Sequence, residues 1–121
     1  MFNVVRDTFV NLHSHSEYSN LRLLDCTIKI KDAIDYVANV LHQDGFALTD
    51  HECLSSHIKY LNTVKEMKAK GKIPETFKPI LGNEIYLVGE EDLKYKLENK
   101  ERINFYHFIL IALDSEGHKQ L

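Results

Sequence analysis

Two histidines, His13 and His15, are separated by a single residue and follow the short apolar run 9–12. The run predicts a β-strand, in which alternate side chains point to the same face. The two imidazoles would then project together and could share a metal ion or a phosphate group. An H-x-H pair by itself is equally compatible with two histidines that pack and hydrogen-bond in a core. The rest of the chain has to decide between ligation and packing.

Other polar groups fall where predicted strands end. Asp50 and His51 follow the apolar run 46–49, and Glu84 lies between apolar neighbours in a later extended segment. In parallel α/β sheets and barrels, functional groups gather at the C-terminal ends of the strands. Mixed nitrogen and oxygen donors of this kind suit zinc, manganese or iron. Such ions orient a phosphate ester and activate water, so the predicted chemistry is phosphoester hydrolysis without a protein nucleophile.

The apolar spacing along the chain indicates an α/β fold, because it alternates between strand and helix periodicity. The predicted elements are a strand at 9–12, a helix at 28–44, a strand at 46–49, a helix at 54–70, an extended segment at 79–88, an exposed charged helix or loop at 89–102, a strand covered on both faces at 105–113, and a helix start capped by Asp114 or Ser115. The order strand, helix, strand predicts a parallel βαβ unit. The last helix stops after about one turn, which suggests a fragment.

Size and composition exclude several classes of protein. The 121 residues, of which 44% are hydrophobic and 27% charged, fit one globular domain or part of one. The formal net charge of −3 gives no overall basic field, so contact with DNA would need a local patch or another domain. The longest apolar run, Phe108 to Leu113, is too short to cross a membrane. Cys26 and Cys53 lack paired spacing and a secretory signal, which indicates reduced thiols in the cytoplasm.

Several polar residues keep alternative interpretations. Asp50 is predicted to orient the His51 imidazole rather than to bind a metal. Both cysteines are predicted as small buried residues, and His42 and His57 as surface positions on helices. His107 begins a predicted strand, and a parallel strand would place it at the wrong end of the sheet. A reversal of chain direction within 89–102 would return it to the site.

Together these motifs resemble a known family. They are LHSHSEYS at 12–19, LD at 24–25, ALTDH at 47–51, GNE at 82–84 and HFILIALDSEGHKQL at 107–121. In this order they resemble the PHP (polymerase and histidinol phosphatase) domain, and more narrowly the N-terminal part of the alpha subunit of a bacterial or phage DNA polymerase III. The resemblance extends from Phe9 onward.

The resemblance implies a distorted (β/α)7 barrel that holds up to three divalent metal ions. Residues 1–121 would be the N-terminal half of this PHP domain, a partial barrel without the polymerase domains. The positions that match family ligands are His13, His15, Asp25, His51, Glu84 and His107. Because the remaining ligands would lie beyond Leu121, we expect this chain alone to be inactive, with partial or no metal occupancy. Its open sheet edge would favour self-association.

The resemblance also implies a role in DNA replication. The parent would be a cytoplasmic DNA-directed DNA polymerase, a nucleotidyltransferase that works with DNA and other replisome subunits and not at a membrane. Its PHP domain would support 3′–5′ proofreading or pyrophosphate removal, or would dock a separate exonuclease subunit. Two alternatives stay open: a free-standing PHP phosphoesterase such as a histidinol phosphatase, and a non-catalytic structural or interaction module of the polymerase.

Overall fold

The computed structural model describes residues 8–21, 24 and 26–121, which form an α/β fold. The elements are a 3₁₀ helix (Glu17–Leu21), α1 (Ile30–Asp35), a π-helical turn (Tyr36–Val40), β1 (Gly45–Leu48), α2 (Ser56–Ala69), β2 (Lys78–Leu87), α3 (Glu90–Asn99), β3 (Tyr106–Ile111) and α4 (Ser115–Gln120). None of the helices in these ranges has the length and apolar character needed to cross a bilayer.

The described strands form one mixed sheet in the order β1-β2-β3. β1 and β2 run parallel with α2 between them, which is a βαβ unit. β3 pairs with β2 in the antiparallel sense, so the chain reverses direction across α3. The α/β class predicted from the sequence is therefore confirmed. The partial, distorted (β/α)7 barrel and the assignment of residues 1–121 to the N-terminal half of the PHP domain stay predictions.

The segment that carries His13 and His15 lies beside β1 but is not the predicted strand. Asn11 forms an isolated parallel bridge with Phe46, and the Asn11 carbonyl accepts the Ala47 N–H at 2.7 Å. Further along, the Ser14 carbonyl accepts the Thr49 N–H at 2.8 Å. Phe9 remains 60% exposed, so the run lacks the apolar burial that would extend a strand. Hydrogen bonds to β1 fix the segment instead.

The first predicted helix is shorter than expected and changes type. After α1 the backbone hydrogen bonds span five residues instead of four: the Leu41 N–H donates to the carbonyl of Tyr36 at 3.0 Å. A π-helical turn of this kind inserts one residue into a helix. Ile30, Ile34 and Ala38, spaced by four, all stay buried across the change. The second predicted helix agrees with α2 to within two residues.

The core lies between β1 and the two helices α1 and α2. Its members are Ile30, Ile34, Ala38, Phe46, Leu48, Tyr60, Val64, Met67, Ile73 and Phe77. Tyr60, which is fully buried, donates its hydroxyl to the carbonyl of Phe46 at 2.9 Å. Burial also raises the pKa of the Tyr60 phenol far above its ordinary value. The core thus anchors β1, from whose end the candidate site is built.

β3 does not match the predicted strand covered on both faces. It is the last strand of the described sheet, and Tyr106 and Phe108 are 66% and 47% exposed. The apolar run predicted the strand itself, but not which of its faces are covered within the described residues. α3 is exposed as predicted, and Asp114 caps α4 by accepting the Gly117 N–H at 2.8 Å. Self-association through β3 stays a prediction.

Candidate metal centre

The site is organised around the carboxylate of Glu84, which is 1% exposed in the middle of β2. Its Oε2 atom lies 2.8 Å from His13 Nε2, 2.6 Å from His15 Nε2 and 3.6 Å from His51 Nε2. Its Oε1 atom contacts His107 Nδ1. One buried carboxylate therefore meets four imidazoles, and five of the six predicted ligand positions come together. The sixth, Asp25, lies outside the described residues.

The donor atoms form two groups of three that share Glu84. His13 and His15 belong to one group, His51 and His107 to the other, and in each group the ligand atoms lie within 4.8 Å of one another. His51 and Glu84 form a buried floor with side chains 4% and 1% exposed, whereas those of His13 and His107 are each 54% exposed. Nitrogen and carboxylate donors around an open mouth fit a divalent cation with positions left for other ligands.

The electrostatics of Glu84 favour its ionised form. Burial alone raises the pKa of this carboxyl, but hydrogen bonds from His13 and His15 and the nearby His51 outweigh burial. The net pKa lies below its ordinary value. The site therefore offers a negatively charged oxygen at neutral pH.

His107 reaches the cluster because β3 runs antiparallel to β2. Antiparallel pairing sets His107 opposite Tyr86, two residues after Glu84 on β2. Alternation along β2 puts Glu84 and Tyr86 on the same face. The alternative that the chain reverses within 89–102 is therefore correct, and it explains how a residue at the start of a strand reaches the site.

Asp50 holds the segment that carries the H-x-H pair. Its Oδ1 atom accepts the Ser16 N–H at 2.6 Å and the Ser19 hydroxyl at 2.9 Å, and its Oδ2 atom accepts the Ser16 hydroxyl at 2.9 Å. Ser19 Oγ in turn accepts the backbone N–H of His51 at 3.1 Å. All of these groups are buried. Asp50 thus joins the turn after His15 to the end of β1, while its role toward the His51 imidazole stays a prediction.

The prediction that His57 is a surface residue is wrong. His57 is 2% exposed, its Nε2 donates to the carbonyl of Gly82 at 2.9 Å, and its Nδ1 lies 3.0 Å from His118 Nε2. The first turn of α2 packs against β2, which apolar spacing alone could not show. Cys53 is buried and Cys26 is half-buried, with its thiol donating to the carbonyl of His15 at 3.3 Å.

Three residues near the site were not singled out from the sequence. Tyr86 stacks on His51 with centroids 6.2 Å apart and an interplanar angle of 17°, and alternation from Glu84 along β2 was the signal that could have found it. Ser16 and Ser19 bind Asp50. Both serines lie in the motif LHSHSEYS at 12–19, but their spacing alone did not assign them a role.

Comparison with known proteins assigns the chain to a family. A model of the PHP domain matches residues 11–121, so the chain belongs to the PHP domain family. PHP domains generally bind metals, and the two donor groups could hold one.

The chain is also similar to the N-terminal parts of proteins described as DNA polymerases. Over 114 residues the chain is 43% identical to "Probable DNA polymerase YorL" of Bacillus subtilis (strain 168), covering 93% of this chain and 8% of the relative. Over 116 residues it is 37% identical to the DNA polymerase III subunit alpha of Borreliella burgdorferi, covering 96% and 9%. The same subunit of Chlamydia trachomatis is 34% identical over 116 residues, covering 94% and 8%. The chain thus matches less than a tenth of each relative's length.

Proposed function

We propose that this chain is the PHP portion of a DNA-directed DNA polymerase of the DNA polymerase III alpha kind, and that its cluster binds divalent metal ions for phosphodiester hydrolysis. The observation that carries the proposal is the single buried carboxylate of Glu84 in contact with four histidines. The matches to DNA polymerases support the parent's class.

Each residue of the cluster has a role that follows from its position. Glu84 supplies the anionic oxygen shared by both donor groups, and His15 and His51 supply nitrogens close to the floor. His13 and His107 supply nitrogens at the exposed rim, where a phosphate can approach. When bound, zinc, manganese or iron would polarise a phosphate ester and activate water. The donor set suits all three metals.

The substrate is proposed to be the 3′ end of DNA, since removal of a misincorporated nucleotide is a phosphodiester hydrolysis. The relatives that carry a matching stretch are described as DNA polymerases, which supports DNA and the other replisome subunits as partners in the cytoplasm. A phosphatase of small monoesters and a non-catalytic module of the polymerase are the competing functions. Each predicts a different experimental outcome.

The decisive experiment compares His13→Asn with His42→Asn in the full-length protein. His13 belongs to the cluster, whereas His42 follows the π-helical turn and has a positive φ of 54°, a conformation that asparagine tolerates. We expect His13→Asn to abolish Mn²⁺-dependent 3′–5′ hydrolysis of single-stranded DNA and to spare DNA synthesis. His42→Asn should retain both activities.

Three results would contradict the proposal. A reading frame that ends soon after a complete barrel would exclude the polymerase parent. Hydrolysis of small phosphomonoesters but not of DNA would favour the phosphatase. Absence of metal from the purified full-length protein by elemental analysis, together with absence of nuclease activity, would favour the structural module.

A further inference from the structure

A groove adjoins the metal cluster on the side of β3. Its volume is about 490 Å³, within the range of sites for small ligands. Residues that line it include Tyr86, Arg102, Asn104, Phe105 and His107. His107 lines the groove and also contacts the Glu84 carboxylate, so the groove is continuous with the cluster.

Aromatic rings lead from the cluster into this groove. The ring of Tyr86 stacks on the ring of His51. The centroid of the Tyr86 ring is 4.8 Å from that of His107 and 5.8 Å from that of Phe105. Tyr86 is half-buried, whereas Phe105 is 55% exposed. A fixed ring beside an exposed one provides a surface on which a flat, unsaturated group can stack. Nucleobases are such groups and stack on aromatic side chains in proteins that bind single strands.

The same groove carries an unneutralised cation. Arg102 is exposed, and in the described ranges of the chain no acidic side chain forms an ion pair with it. A guanidinium presents several N–H donors in a fork that matches the oxygens of a phosphate. Asn104, also exposed, adds an amide that can both donate and accept. In a chain with a net charge of −3, such a position is a local attraction for an anion and not part of a general basic surface.

We propose that this groove binds the nucleoside next to the phosphate held at the metal cluster, in a single-stranded nucleic acid. Phe105 and Tyr86 stack on the base, and Arg102 contacts the neighbouring phosphate. The inference rests on the proposed function, because the cluster has to receive the phosphate to be cleaved. A small monoester has no second phosphate for Arg102, so the groove selects a strand of at least two nucleotides. Stacking also makes the site tolerant of base identity.

The test measures binding of a fluorescein-labelled oligothymidylate of five nucleotides by fluorescence anisotropy, without added metal. Phe105→Leu and Arg102→Gln should each raise Kd about 10-fold, and Arg102→Gln should also reduce the slope of log Kd against log salt by about 1. Phe105→Trp should retain or strengthen binding because it keeps the stacking surface. Tyr95→Leu and Lys65→Gln change exposed residues away from the groove and should leave Kd unchanged.

Two outcomes would overturn the inference. One is an unmodified chain that does not bind the oligonucleotide, and the other is Phe105→Leu and Arg102→Gln variants that bind it as tightly as the unmodified chain. A parallel calorimetric titration of the full-length protein with Mn²⁺ separates this failure from that of the proposed function, since the groove variants keep all five cluster residues. Absence of Mn²⁺ binding in the unmodified full-length protein contradicts the metal proposal, whereas unchanged oligonucleotide binding in the variants contradicts the groove alone.

Discussion

Two groups of histidines contact the same strand, β2, and they differ in the acceptor that they meet. At Glu84 four imidazoles surround a carboxylate, whereas at Gly82, two residues earlier, His57 meets a backbone carbonyl. A carboxylate carries charge and attracts protons or metal ions to the nitrogens around it. The carbonyl of Gly82 has no net charge and accepts a hydrogen bond from His57. The charged acceptor therefore favours cation binding at the first group, whereas the neutral acceptor connects elements of the fold at the second.

The pair formed by His57 and His118 illustrates the second case. Because the Gly82 oxygen is only an acceptor, the Nε2 atom of His57 carries the hydrogen. Burial lowers the pKa of His57; the hydrogen bond to Gly82 and the charge of Asp50 oppose this change, and His118 adds to it. His57 is thus held neutral, and its Nδ1 faces His118 on α4. This pair fastens α2 and α4 to the sheet.

The largest expected effect follows from removing the charge of Glu84, which distinguishes the four-histidine cluster from the pair formed by His57 and His118. Glu84→Gln retains the shape of the side chain but replaces the shared anionic oxygen, so we expect Mn²⁺ affinity to fall by at least about 100-fold. Isothermal titration calorimetry of the full-length protein measures the change, with circular dichroism to confirm the fold. Glu98→Gln alters an exposed carboxylate on α3 and serves as the control. Equal affinity in the Glu84 variant would show that the carboxylate is not a ligand.

The next effect concerns Asp50, which holds the turn after His15 and whose charge raises the pKa of His57. Asp50→Asn turns an acceptor of three buried hydrogen bonds into a group with one acceptor oxygen, so the free energy of unfolding should fall by about 2–3 kcal/mol. Urea denaturation measures this loss, and Asp32→Asn on the exposed face of α1 is the matched control. Because Asp50 raises the pKa of His57, an NMR titration of the variant should give a still lower value. An Asp50→Asn variant as stable as the control would show that these hydrogen bonds do not stabilise the fold.

The smallest effect is a dependence of stability on pH. The folded pKa of His57 lies below the unfolded value of 6.5, so the unfolded state binds more protons below pH 6.5 and the free energy of unfolding falls as the pH falls. One proton contributes at most about 1.4 kcal/mol per pH unit. His57→Gln keeps a donor for Gly82 without a titrating group, so its urea midpoint should change less between pH 5 and about 7 than that of the unmodified chain. Equal slopes would contradict the neutral state assigned to His57.

The sequence predicted the centre of the site better than its surroundings. His13, His15 and His51 could be recognised because histidines followed apolar runs, and Glu84 because a carboxylate lay between apolar neighbours. The position of His107 depended on the direction of β3, and that of His57 on how α2 packs against β2. Both are tertiary relations that local periodicity does not encode. Similarly, the apolar run of β3 showed its strand character but not its place at the edge of the described sheet.

Sharing of Glu84 between the two donor groups has a thermodynamic consequence. A cation bound by one group draws on the charge that the other group needs, so the two binding events cannot be independent. By linkage, occupation of either group changes the affinity of the other by the same factor. Titration of this cluster should therefore show negative cooperativity, because the second cation meets a carboxylate whose charge the first has already partly neutralised.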